Sequence, residues 1–189
     1  SRVIDLLVSP DVSVSYKADF LINTERLNES KGNNSYTTFE NLLNSMHNDS
    51  MAFDIGYAMM NQCKTINRDD SLAYDKQGVL SMKVFTYLFH RFENEANTQV
   101  LDLSKKKNNS IKLERINKFL GICALMKNSY TQRDSDAVET ICSKAIWLTK
   151  NLLLSAIKEL QIQDVAIISG DFNYCISLML SIDDFPEYK

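Results

Sequence analysis

"KVFTYLFHRFEN", Lys83–Asn94, is the stretch whose reading decides the fold. Leu80, Val84, Tyr87 and Leu88 recur every three to four positions, and Phe85, Phe89 and Phe92 repeat that spacing one position further on. A strand alternates with a period of two, so this spacing belongs to a helix. Two apolar rows side by side are broader than the single stripe of a surface helix. The helix, expected from about Tyr74 to Asn94, therefore belongs to the interior.

The segments on either side follow the same rule. "AFDIGYAMMNQC" (Ala52–Cys63) places Phe53, Ile55, Met59, Met60 and Cys63 inside a helix capped at Asp49 or Ser50 and running to Ile66. Before it, Thr37-Thr-Phe-Glu40 fits a capping box, in which hydroxyl and carboxylate satisfy free backbone N–H groups. Phe39, Leu42, Leu43 and Met46 then form a one-sided helix. Further on, Ile116, Phe119, Leu120 and Cys123 mark a fourth helix, where Gly121 suggests close packing against a neighbour. Asp136 with Glu139 opens a fifth, carrying Ile141, Ala145, Leu148 and Leu152 and extending to Leu160. "DVAIISGDFNYCISLMLSI" (Asp164–Ile182) reads as helix on either side of Gly170, while "VAIIS" alone also fits a strand.

The start of the chain departs from this pattern. Val12, Val14, Tyr16, Ala18 and Phe20 alternate with polar residues, which predicts a strand with one covered face. The fold class expected is therefore mainly α, with antiparallel helical hairpins stacked in a TPR-like solenoid and a short N-terminal β segment. One domain spans residues 1–189. It comprises an irregular or strand segment (1–35), three helices (36–98), a basic linker (99–110), three more helices (111–182) and a polar tail (183–189).

Composition agrees with a helical globular protein. The 189 residues are 44% hydrophobic and 24% charged, with only five Gly and two Pro. All-β chains consume turn residues, so that shortage favours helices. A net charge of −3 and a pI near 5.4 give no global attraction to nucleic acid or anionic lipid. No apolar run approaches the ~20 residues of a membrane helix. Cys63, Cys123, Cys142 and Cys175 lie far apart, without CxxC or zinc spacing, and three sit in apolar runs, as reduced core thiols do in a reducing compartment. The expected location is the cytoplasm.

No phosphate-binding loop, dinucleotide fingerprint, HExxH or GxSxG occurs, so no enzyme activity, cofactor or metal is expected. His47 and His90 have no adjacent nucleophile or carboxylate pattern and read as structural or surface residues. Asp69-Asp70 reads as a solvated loop. Lys105-Lys106-Lys107, with Lys112 and Arg115 beyond, reads as a solvated linker, with at most weak peripheral contact to anionic lipid. The Phe, Tyr and Met residues of the two central segments read as core, although a helix-binding groove uses the same residue types. No catalytic, cofactor, metal or partner-binding residue is assigned.

The stretch from Ser50 to Asn94 resembles the middle of the Bro domain, the helical scaffold of the ALIX-like and fungal ESCRT-associated family. Phe53-Asp54, the helix through Ala58–Cys63, the "NRDDS" loop and Phe85-Thr-Tyr87-Leu88 are similar to the family's order of elements. "VLDLS" (Val100–Ser104), "FLGICALMKNSY" and "SKAIWLTKNLLLSAIKELQIQDVAI" continue the likeness. A complete Bro domain is about twice this length, and Leu125-Met-Lys-Asn-Ser-Tyr130 replaces the family's usual Gln-Ala-Gln-Glu-like run. The resemblance implies a non-enzymatic scaffold, shortened or a fragment. Its partner would be the amphipathic helix of an ESCRT-III subunit, in endosomal sorting or pH-response signalling near endosomes. "LGICA" (Leu120–Ala124) is also similar to a run in poxviral Bcl-2-like proteins, which implies a helical bundle binding host partner helices to modulate innate immunity or apoptosis. An unrelated helical adaptor is a further alternative.

Overall fold

The computed structural model describes residues 2–30, 38–67, 79–101, 111–129, 135–159 and 162–182. Among these the chain forms eight α-helices. They are α1 (Arg2–Val8), α2 (Val14–Ser30), α3 (Phe39–Ser45), α4 (Asp49–Asn67), α5 (Val79–Thr98), α6 (Leu113–Ser129), α7 (Ser135–Glu159) and α8 (Ile162–Ile182). The chain divides into two compact units, Ser1–Leu88 and Phe89–Lys189, with the division inside α5. The "NRDDS" loop from Arg68, the helix start at Tyr74, the linker from Asp102 to Ser110 and the tail from residue 183 lie outside the described residues.

In the first unit, the expected N-terminal strand is a helix. Residues 14–20 lie in α2, and Ser13 caps it by accepting the Tyr16 N–H on its hydroxyl at 3.1 Å. The buried side chains are Lys17, Ala18, Leu21, Ile22 and Glu25, while Val14 and Tyr16 face solvent. That set follows the helical spacing i, i+1, i+4, i+5 and i+8. The alternation was accidental, because Leu21 and Ile22 sit side by side and a capping serine precedes the run.

α2 packs against α4 through this stripe, and α3 packs against α1 and α4. Thr38 caps α3 by accepting the Asn41 N–H, one position later than the expected box. A second first-turn amide, Phe39 N–H, donates to the carboxylate of the buried Glu25 on α2 at 2.8 Å. A side chain distant in sequence therefore completes the cap, and α2 and α3 are tied by a charge-assisted bond. α4 is capped by Asn48, whose side-chain oxygen accepts the Met51 N–H at 3.1 Å, rather than by Asp49 or Ser50. His47, just before it, holds a left-handed backbone with φ 54°. Phe53, Ile55, Met59, Met60 and Cys63 are buried, as expected for the inner face of α4.

The close approach expected at Gly121 occurs instead at Gly56. A Cβ at Gly56 would lie 2.8 Å from Leu88 Cδ2, whereas one at Gly121 or Gly170 would meet nothing within 4 Å. α5 thus comes close to α4 at the one glycine where the α4 surface is bare. Nearby, the Tyr87 ring meets Phe39 edge-on at 5.8 Å, and Tyr87 Oη lies 3.4 Å from Asn44 Oδ1.

The second unit is built around α6, which packs against both α7 and α8. Phe119 of α6 stacks on Phe92 of α5 at 5.0 Å and on Phe89 at 6.2 Å. Ile116, Phe119, Leu120 and Cys123, the expected inner face of α6, are all fully buried. α8 runs unbroken through Gly170, so "VAIIS" is helical and the two-part reading is superseded by one helix. A parallel bridge joins the buried Leu101 and Ile111 on either side of the linker, and it is the sole β pairing among the described residues.

α5 carries buried residues from Leu80 through Glu95. At 100° per residue these positions sweep about 200°, more than half of the circumference. The breadth of the aromatic pattern is realised as burial, so Phe85, Tyr87, Phe89 and Phe92 of the opening stretch are core.

Candidate functional site

Among the described residues the two histidines lie at the surface. His47 is exposed at its loop position, and its role there is conformational. His90 is 64% exposed on α5, with Nδ1 3.9 Å from Glu93 Oε1 one turn along the same helix. All four cysteines are buried free thiols. Burial raises the Cys175 thiol to about 11. Cys123 is raised well above its ordinary value by burial and then by the adjacent Cys142, whose thiol lies 3.8 Å from the Cys123 carbonyl oxygen. A raised thiol holds its proton at neutral pH, so Cys123 and Cys175 stay protonated there. Among the described residues no three His, Cys, Asp or Glu side chains converge as metal ligands.

Lys105–Lys107 lie outside the described residues, as do Asp69 and Asp70. Lys112 is exposed, but Arg115 turns inward and binds both carboxylate oxygens of Glu95 through Nη1, at 2.5 Å and 2.6 Å. Arg115 is therefore a structural cation of the second unit and is not available to a phosphate.

Other buried polar groups also act as fasteners. Lys17 is 1% exposed, and its ammonium donates to the Ser9 carbonyl at 2.8 Å, with Met51 Sδ at 3.8 Å. It joins the turn before α2 to α4. Asn117 of α6 donates to the Asp171 carbonyl of α8 at 3.1 Å.

A surface that the residue pattern alone did not isolate is the outer face of α7. The helix buries Val138, Ile141, Cys142, Ala145, Ile146, Leu148, Thr149, Leu153 and Ala156. These positions fill an arc of about 160° centred on Val138 at 100° per residue. Trp147 lies at about 180° on the same count, directly opposite, and Leu154 lies two turns along and about 20° away. Trp147 is 63% exposed and Leu154 59%, with Ile157 at 44% on the margin. Lys144, Lys150 and Lys158 are exposed around them, and no Asp or Glu occurs from Lys144 to Lys158.

The signal was present in "AIWLTKNLLLSAIK" (Ala145–Lys158), where apolar residues fall on every side of the helix. A helix buried on one face only needs no tryptophan on the other. Leu152, expected in the core, is only partly buried.

Fold and surface together define a class: a mainly α-helical protein with one helix face both apolar and basic. Among the described residues no helix is long and apolar enough to cross a membrane. No family model, no curated protein and no solved structure matches this chain.

Proposed function

We propose that this protein is a non-enzymatic interaction module that binds an amphipathic helix of a partner protein. The observation that carries the proposal is the outer face of α7, where Trp147 and Leu154 stand exposed, two turns apart, on a helix whose opposite face is fully packed. Large exposed apolar side chains aligned on a rigid element are what helix-in-groove and helix-on-helix recognition uses. Tryptophan is the residue type most enriched among binding hot spots. Four buried free thiols suit a reducing compartment such as the cytoplasm.

The finer form of this reading is a Bro-type scaffold of stacked antiparallel hairpins that binds ESCRT-III subunits at endosomes. What supports it is the resemblance of Ser50–Asn94 and Val100–Ile168. Calorimetric titration of the intact chain with ESCRT-III C-terminal helices tests it. Saturable heat that disappears in Trp147→Ala is the expected result, and no heat at high micromolar peptide would remove the ESCRT form.

One observation favours a second reading, a helical bundle of viral Bcl-2 type that binds host helices. It is the similarity of "LGICA" (Leu120–Ala124) to a run in poxviral Bcl-2-like proteins. Titration with helices of host cell-death regulators in place of the ESCRT-III helices separates the two.

A further inference from the structure

We propose that Cys123 of α6 and Cys142 of α7 form a redox-sensitive latch, a pair of neighbouring thiols that an oxidant converts into a disulfide pinning α7 to α6. The fold places the pair. The two residues lie 19 apart in the chain, on helices that pack against each other, and the Cys142 thiol donates to the Cys123 carbonyl oxygen at 3.8 Å. Cys142 also acts on the Cys123 thiol itself, through a side-chain hydrogen bond and electrostatically, so the two side chains meet. The other two thiols belong to other elements, Cys63 to α4 and Cys175 to α8, where burial alone raises Cys175.

The same packing governs when the latch closes. Both side chains are 0% exposed, and Ile122, Met126, Ile141, Ala145 and Ile146 are buried beside them in sequence on the same two helices. The thiolate is the reactive form of cysteine, and burial withholds both it and the oxidant. Oxidation therefore waits for local opening of α7 from α6.

In the opened state one thiolate attacks an oxygen of hydrogen peroxide. The O–O bond breaks, giving a sulfenic acid and hydroxide, which takes up a proton as water. The second thiolate then attacks the sulfenic sulfur. The S–O bond breaks, and the departing hydroxide is protonated to a second water. Two thiols and one peroxide thus give one disulfide and two waters, the sulfurs losing two electrons and the peroxide gaining them. A dithiol reductant reverses the step by exchange. Joining residues 19 apart removes conformations from the unfolded chain, so the oxidised form holds α7 more firmly. The helix so held is the one that carries Trp147 and Leu154.

The test uses the intact chain, treated with hydrogen peroxide at neutral pH without denaturant, then alkylated in urea and mapped by mass spectrometry. The expected product has lost two hydrogens, contains a peptide linking Cys123 to Cys142, and has Cys63 and Cys175 alkylated. Its urea midpoint is expected to lie above that of the reduced chain and to return with dithiothreitol. The midpoint decides, because residues this close in sequence also pair in an unfolded chain. Only a pair that native packing brings together stabilises the fold when joined. A lower midpoint in the oxidised chain, linkage through Cys63 or Cys175, or sulfinic acid without linkage overturns the inference. So does a chain that keeps four free thiols even when mild urea opens it. Cys63→Ala/Cys175→Ala retains the pair and is expected to show the same linkage and the same rise on oxidation.

Discussion

Arg115 Nη1 lies 2.5 Å and 2.6 Å from the two carboxylate oxygens of Glu95, with 16% and 9% of the respective side chains exposed. The pair joins α5 to α6 beside the Phe92–Phe119 stack. A cation and an anion out of water stabilise little as a pair, but removing one leaves the other uncompensated. Arg115→Met is therefore expected to lower unfolding free energy by about 3–5 kcal/mol, and Arg115→Met/Glu95→Leu to recover most of that loss. Urea midpoints of the two variants check this. A single variant as stable as the parent would contradict it.

His47 sits at φ 54° between α3 and α4, in a region that costs an L-residue about 1–2 kcal/mol and glycine almost nothing. Glycine also has more freedom to lose on folding, so His47→Gly is expected to stabilise by at most about 1 kcal/mol, or ~2–4 °C in Tm for a chain of this size. Thermal melting reads it directly, and a lowered Tm would show that the ring, not the backbone, matters there.

Two glycines should answer alanine with opposite signs. At Gly56 the new methyl meets Leu88, a fully buried side chain, at 2.8 Å. The overpacking there, ~1–3 kcal/mol, outweighs the ~1 kcal/mol helix-propensity gain. At Gly121 nothing lies within 4 Å, so Gly121→Ala keeps only the gain and should stabilise by ~1 kcal/mol. Chemical denaturation of both variants decides the matter. Destabilisation at Gly121 would contradict the open space described there.

That contrast shows where sequence reasoning stops. The helices around Phe53, Phe85 and Phe119 were legible because their cores repeat with a helical period, which one chain displays alone. Glycine at Gly121 looked like a contact and the contact was at Gly56, because a close approach depends on which neighbour faces the residue. Val12–Phe20 misled for a related reason. A short alternating run carries both periods, and Leu21 and Ile22 settle it only when Ser13 is read as a cap. The Glu25 cap on Phe39 joins residues fourteen apart and leaves no local mark. Of the candidate surface, Trp147 and Leu154 were visible as letters. Their exposure was not, since apolar residues all around α7 fit full burial equally well.

The thiols make stability depend on alkaline pH. Cys175 moves from an ordinary 9.0 to about 11 in the folded chain, and burial moves Cys123 the same way. The unfolded chain therefore releases the Cys175 proton first. The stabilisation is fully present below 9.0 and is lost as pH rises toward about 11. Urea midpoints followed across that window are expected to fall with pH, and to fall less steeply in Cys175→Ala. Identical slopes for parent and variant would mean that Cys175 ionises alike in both states.

Trp147 is the only tryptophan in the chain, so the candidate surface carries its own reporter. The most direct test of helix docking on α7 is the tryptophan emission of the intact protein, titrated with a tryptophan-free amphipathic helix of the kind used in the calorimetric titration. Covering a ring that is 63% exposed should shift emission to shorter wavelength, saturably, with the same midpoint as the calorimetric titration. Binding that leaves Trp147 emission unchanged would place the helix elsewhere on the molecule and contradict the account.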